Sequence, residues 1–272
     1  MIFTRIFVVF LLLTTTACGT FTTVRHSSDY AKILKENGEI TVLPPEVIVN
    51  TSDIAGKSER MYDYEYHMES VIQEILIPAI KEKGYKLKPL SKKEIKEKKL
   101  YQDSHKLREN YSKEIGKLYA FQIAQKVEIA HNINATVKDS GKSLAEKTGQ
   151  DLVMLIDYNE TVKTNGARLR DFAIDVLVQS FHGSSNQSGN AEDATLKICI
   201  LDAKTGKILW TNIAVDVQNY IGSGIDSLGT ETAEQKKVSR LVKNLIAPLP
   251  EKSALLLPPK DKEETASLAI EN

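Results

Sequence analysis

The chain has 272 residues, 42% of them hydrophobic and 26% charged, enough for one large or two small globular domains with a sizeable core. Lysine plus arginine and aspartate plus glutamate balance at 36 each, which excludes a globally basic nucleic-acid binder. Two cysteines, Cys18 and Cys199, exclude a disulfide framework.

The amino terminus carries the most specific signal. Arg5 precedes an apolar run, Ile6 to Leu13, then Thr14-Thr15-Thr16-Ala17 and Cys18-Gly19. The run is too short to span a bilayer, which takes about 20 apolar residues, and has the layout of a secretory signal. Thr15-Thr16-Ala17-Cys18 resembles the lipobox of bacterial lipoproteins. That resemblance implies removal of residues 1–17, a diacylglycerol thioether on Cys18 and acylation of the new amino group. With Gly19 following, it also implies sorting to the outer membrane, facing the periplasm. Two or three acyl chains anchor stably where one does not, at about 0.8 kcal/mol per buried methylene. An ordinary secretory cleavage site is the alternative reading. Loss of Arg5 with the signal leaves 35 basic against 36 acidic residues, near minus one. Lipidation consumes Cys18, so Cys199, inside Leu196-Lys197-Ile198-Cys199-Ile200-Leu201, is expected to be a buried inert thiol.

Thr20 to Asn37 is polar and unpatterned, which makes residues 18–38 a tether. Glu39 to Leu43 predicts the first strand, ended by Pro44-Pro45. Ser58 is placed as the N-cap of a helix whose core face is Met61, Tyr64, Met68, Val71, Ile72, Ile75, Leu76, Ala79 and Ile80. Pro78 should bend that helix and Gly84 stop it. Tyr85 to Leu90 is a short strand, and strand-helix-strand order implies a right-handed crossover.

Ser91 to about Val137 then forms a helical insert, one long helix or two in line, with an apolar stripe Leu107, Tyr111, Ile115, Leu118, Tyr119, Ile123 and Val127. Such a stripe must be buried against the domain, another copy of the chain or a different protein. Leu107, Tyr111, Ile115, Leu118 and Tyr119 are therefore the candidate partner-binding residues. Lys81 to Lys99 holds nine lysines against three glutamates, either a solvated helix start or a patch for lipid phosphates or an acidic partner.

A short helix in Ser140 to Gly149 leads into the densest apolar run, Asp151 to Tyr158, which reads as a strand buried on both faces. Asn165-Gly166 is a hairpin signal before an alternating strand, Asp171 to Phe181. A polar loop, His182 to Asp193, precedes a second hairpin of Thr195 to Leu201 and Ile208 to Val217. Thr232 and Gln235 have capping-box spacing before a closing helix with Val238, Leu241, Val242, Leu245 and Ile246 on its core face. Pro248 ends it, and residues 249–272 form a disordered tail apart from the apolar Ala254 to Leu257. The fold class is α/β: a single layer-type domain, residues 39–248, with a mixed, largely antiparallel sheet covered by helices and the helical insert at about 91–137.

Motifs for chemistry are weak. Asp202-Ala203-Lys204-Thr205-Gly206-Lys207-Ile208-Leu209-Trp210 resembles a blade signature of quinone-type β-propellers, but a propeller needs several copies. A tight hairpin with Gly206 left-handed and Trp210 packed beneath is preferred. Ser140-Gly141-Lys142-Ser143 lacks the first glycine of a phosphate loop, where Thr136 stands. The five histidines, at positions 26, 67, 105, 131 and 182, show no metal-ligand spacing, so no cofactor, metal or catalytic residue is assigned.

Leu43-Pro44-Pro45 before an amphipathic helix, Gly84-Tyr85 and Gly149-Gln150-Asp151 entering strands, and Asp202 to Trp210 beyond resemble envelope lipoproteins similar to the TolB amino-terminal domain and the periplasmic domain of the curli secretion channel. The resemblance implies a non-enzymatic binding or assembly factor for a secretion or cell-wall complex. Its partners would be the membrane, through the lipid, and an envelope protein, with homo-oligomerisation open and no nucleic acid. An envelope hydrolase using the His182-Gly183-Ser184-Ser185 loop is the alternative. Replacing Cys18 by alanine is expected to abolish incorporation of a fatty-acid analogue in cells. Equal labelling of the two chains would sink the lipoprotein reading.

Overall fold

From Leu152 to Ile156 no residue is polar, so neither face of a strand there can meet water. A computed structural model, which describes residues 20–124, 133–164, 166–167, 192–218 and 231–256, is built around that run. The first half of the chain forms β1 (Thr20–His26), α1 (Tyr30–Glu36), β2 (Glu39–Val42), β3 (Glu46–Ser52), β4 (Ser58–Arg60), α2 (Tyr62–Glu82), β5 (Lys86–Pro89), α3 (Lys92–Glu97) and α4 (Tyr101–Ala124). After a 3-10 turn, Lys138–Gly141, come α5 (Lys142–Thr148), β6 (Leu152–Lys163), β7 (Glu192–Asp202), β8 (Ile208–Gln218), α6 (Glu231–Ile246) and α7 (Lys252–Leu256).

The sheet is mixed and open, in the order β1-β8-β7-β6-β2-β5. β6 pairs antiparallel with β7, β7 with β8 and β8 with β1, so Ile156, Ile198, Asn212 and Val24 fall in one row. On its other side β6 takes two parallel partners in succession. Leu152 to Met154 pair with Ile40 to Val42 of β2, and Asp157 to Lys163 with Glu46 to Ser52 of β3. Pro44-Pro45 divides the two, because neither proline can donate to the ladder. β5 runs parallel to β2 on its far side, and β4 turns back along β3.

Alternation along β6 sends Leu152, Met154, Ile156 and Tyr158 to one core, and Val153 and Leu155 to another. The first core is closed by α2, through Met68, Val71, Ile72, Leu76 and Ile80, and by α6, through Val238, Leu241, Val242 and Leu245. Trp210, 1% exposed, lies in it beneath the β7–β8 turn. The second is closed by Ile95, Leu100, Leu107, Tyr111, Ile115, Leu144 and Ala145, packed on Val153, Leu155, Cys199 and Leu201. Each fully buried side chain of this size contributes about 1.5–3 kcal/mol. The long stretch between β5 and β6 is thus the cover of the second face. Cys199 is a free, buried thiol, and burial pushes its pKa well up, so thiolate is disfavoured.

Several expectations need correction. Thr20 to Asn37 is no spacer: β1 pairs along its whole length with β8, and α1 packs Leu34 into the first core. Polar alternation in a strand flanked on one side only leaves little apolar signal. Ser58 lies in β4, and α2 begins at Tyr62. Thr232 falls within α6, which begins at Glu231. The insert is two helices, one of the two forms expected, but its far end is extended: Ile133 donates to His26, Val137 to Gly206, and Ile208 donates to Ala135. Residues 249–256 are ordered against the body. The amide of Lys252 donates to the Lys83 carbonyl at 2.8 Å, Lys83 Nζ donates to the Leu249 carbonyl at 2.8 Å, and Tyr85 OH to the Pro250 carbonyl at 3.0 Å. Asn165 and Asp171 to Phe181 lie outside the described residues. No helix among the described residues is long and apolar enough to cross a membrane.

Gly206 has φ +72°, as expected for that hairpin, and a Cβ there would sit 1.9 Å from the Lys138 carbonyl oxygen. The Gly206→Ala chain is expected to lose about 2 kcal/mol or more through strain and separation of the extended segment 133–138 from the turn. Chemical denaturation measures it, and an unchanged midpoint would contradict this packing.

Candidate functional site

α3 is set by its ends. The Glu94 amide donates to Ser91 Oγ at 3.1 Å and the Ser91 amide to Glu94 Oε2 at 2.8 Å, a reciprocal capping box. At the other end the Leu100 amide donates to the Ile95 carbonyl at 2.8 Å and Lys99 to Lys96 at 3.1 Å, a Schellman closure. The residue at the left-handed position of such a closure is usually glycine. Here it is Lys99, at φ +53°, a conformation that costs a lysine about 1 kcal/mol or more.

Lys92, Ile95 and Lys96 recur at helical spacing on this short helix and share a face, and Lys99, just beyond its end, lies on the same side. That face looks onto a groove of about 480 Å³ floored by Leu43, Pro44 and Ile95 and walled by Tyr101, Ser104 and Arg108 of α4. The lysines rim it. Lys92 is engaged, 2.5 Å from Glu69 and over the Tyr66 ring. Lys96 and Lys99 have no hydrogen bond or ion pair for their ammonium groups among the described residues. The groove therefore joins an apolar floor to two uncompensated cations.

Arg108 holds the wall in place. Its Nη1 donates to Asp157 Oδ1 at 2.5 Å and to the Ile156 carbonyl at 3.1 Å, and Nη2 donates to the Pro44 carbonyl at 2.5 Å. One guanidinium thus ties α4 to β6 and to the β2–β3 break, where the ladder is interrupted. Asp157 is 9% exposed; burial pushes its carboxyl pKa up and Arg108 opposes that shift.

Of the residues singled out for a partner, Leu107, Tyr111 and Ile115 are buried in the second core, and Leu118 and Tyr119 are half-buried against it. Tyr111 OH meets Thr211 Oγ1 at 3.2 Å, and Arg25 stacks over the Tyr119 ring at 4.9 Å. Within a single chain their apolar faces are taken by the sheet. The Lys81–Lys99 patch divides: Lys83 clamps residues 249–251, whereas Lys92, Lys96 and Lys99 converge on the groove. Arg108 was missed, although its place next to Leu107 on the apolar stripe was the available signal. Cys18 and the His182 to Ser185 loop lie outside the described residues. Among the described residues no three His, Cys, Asp or Glu side chains come together as metal ligands.

No family model matches this chain, and no curated protein matches it. Among solved structures, it is similar to a point variant of the PelC dodecamer from Paraburkholderia phytofirmans, with 8% identity over 86% of this chain and 99% of that one, at a TM-score of 0.37. The PelC dodecamer from the same organism gives 10% identity over 84% and 96%, at 0.36. The lipoprotein GNA1162 from Neisseria meningitidis gives 15% over 78% and 99%, at 0.30.

Removing Arg108 as Arg108→Ala strands a buried carboxylate and should cost about 3–5 kcal/mol of stability at neutral pH. The aspartate is held neutral more easily in the folded variant than in the unfolded chain. The deficit is therefore full above its raised folded pKa and shrinks as pH falls toward the unfolded value of about 3.9. Denaturation of both chains across that range measures it. A deficit that stays constant would show that the two carbonyl contacts, not the ion pair, are what Arg108 supplies.

Proposed function

We propose that this chain is a lipid-anchored protein of the bacterial envelope that acts by binding, as an accessory or assembly factor, and not by catalysis. The carrying observation is the pair Lys96 and Lys99, uncompensated over an apolar floor, which suits a partner segment bearing carboxylates beside an apolar side chain. The backbone at Lys99 supports this, because glycine would be the less strained choice there.

The anchor and the groove are also well separated. Cys18 precedes β1 by two positions, and β1 is the edge strand opposite β5. Five strand spacings of about 4.8 Å put roughly 24 Å between those edges. An acyl group on Cys18 would thus hold one edge near the bilayer, with α3 and the first turns of α4, Tyr101 to Arg108, on the side of the body nearer the other. The signal, Cys18 and Gly19 support an outer-membrane position facing the periplasm. The envelope-lipoprotein resemblance supports a partner within a cell-wall or secretion complex.

A photo-crosslinking residue at Tyr101, which is 72% exposed, is expected to give a discrete adduct in intact envelopes. The charge reversal Lys96→Glu with Lys99→Glu should abolish that adduct, and Lys236→Glu on the exposed face of α6 should leave it. Salt should weaken it as well. Lys99→Gly separates strain from charge: it should stabilise the fold by about 1 kcal/mol and still reduce the adduct. An adduct indifferent to both reversed lysines would remove the groove from the function.

A further inference from the structure

On the opposite face of the sheet from the groove, where α2 begins beside α6, lies a second cleft of about 810 Å³. Its chemistry is the reverse of the groove's. Glu234, from α6, is 3% exposed and lines the cleft. Its Oε2 meets His67 Nε2 at 2.7 Å, and its Oε1 has no hydrogen-bond partner among the described residues. A buried carboxylate oxygen left without a donor is expensive, more so than a neutral acceptor, and buried carboxylates are ordinarily satisfied.

Two further lining groups have the same sign. Glu59 and Asp63 add two exposed carboxylates with no ion pair among the described residues. The one arginine in the lining, Arg60, is already committed: its Nε donates to Glu65 Oε1 at 2.6 Å, and its guanidinium lies 5.1 Å from the Tyr62 ring centroid. Glu65 is in turn fixed by the Val49 amide at 3.0 Å. Tyr62 is 69% exposed and offers a ring face at the mouth. Metal is not what these groups suit, since no three ligating side chains converge among the described residues.

We propose that this cleft binds a primary ammonium group, with Glu234 Oε1 as the acceptor at its base, Asp63 and Glu59 as the anionic rim and Tyr62 as a cation–π wall. A compact ammonium carries three donors and no acceptor, so it can satisfy an orphan carboxylate oxygen while its remaining donors face the rim. Aromatic faces next to carboxylates favour cations of this kind. The volume lies within the range of about 300–1,000 Å³ in which small ligands are held. Two sources share this chemistry, a free aliphatic amine and a lysine side chain presented by a protein. The site stands apart from the lysine-rimmed groove and does not rest on the lipid anchor.

The test uses the purified full chain in detergent, titrated calorimetrically with cadaverine, with an N-terminally blocked, lysine-containing tripeptide, and with the Nε-acetylated form of that blocked peptide. Cadaverine alone binding identifies a free amine as the ligand class, and binding of both amines identifies a site that also accepts lysine side chains. The acetylated peptide should not bind in either case. Glu234→Gln is expected to weaken binding by about tenfold or more, since it removes a charge-assisted bond. Asp63→Asn, at an exposed position where the fold does not depend on the charge, should weaken it several-fold and covers the case in which the Glu234 variant does not fold. Lys96→Glu with Lys99→Glu should leave it unchanged. Failure of both amines to bind, equal binding of the acetylated peptide, or indifference to the Glu234 and Asp63 changes would each overturn the proposal.

Discussion

Everything in this molecule follows from one strand that has no face to give to water. β6 is apolar on both sides over Leu152 to Ile156, so the sheet around it must be covered twice. α2 and α6 supply one cover and α3, α4 and α5 the other. The long segment between β5 and β6 exists for that second cover. Its apolar stripe is matched by Val153, Leu155, Cys199 and Leu201, which alternate with the residues of the first core.

β6 is also longer than either of its parallel partners, and that mismatch creates the groove. β2 and β3 lie end to end along it, and the pair of prolines between them interrupts the ladder. Arg108 fills the interruption, taking the Pro44 carbonyl and the buried Asp157 together. On the other face the far half of β6 carries Glu160, which accepts from Tyr158 OH at 2.7 Å and pairs with Lys237 of α6. Asp216 of β8 is paired with Arg240 of the same helix at 2.8 Å. The buried Glu160–Lys237 pair contributes little net stability, but it admits one seating of the helix on the sheet.

A net charge near zero conceals a segregated distribution. Lysines of α3 gather on one side of the sheet, and carboxylates at the start of α2 and α6 gather on the other. The two surfaces face different directions and would select ligands of opposite sign. In such a chain the balance of charge counts says little about recognition, because fields are local within roughly a Debye length of about 8–10 Å.

The chain by itself determined its elements wherever burial is repetitive. The face of α2 from Met68 to Ile80, the set from Val238 to Ile246, the double-sided strand at Leu152 and the left-handed Gly206 are all legible, because periodicity and φ are local properties. The lysine stripe of α3 is visible in sequence for the same reason. What the chain did not show is what depends on partners distant in sequence. β1 looks like a tether because its order comes from pairing with β8, nearly two hundred residues later. Residues 249–256 look disordered because their partners are Lys83 and Tyr85. Arg108 is one charge among many until Pro44 and Asp157 are brought to it. The cleft at Glu234 joins residues 167 positions apart. Apolar periodicity is written along the chain; the satisfaction of buried polar atoms is decided only when the sheet closes and brings donors and acceptors together.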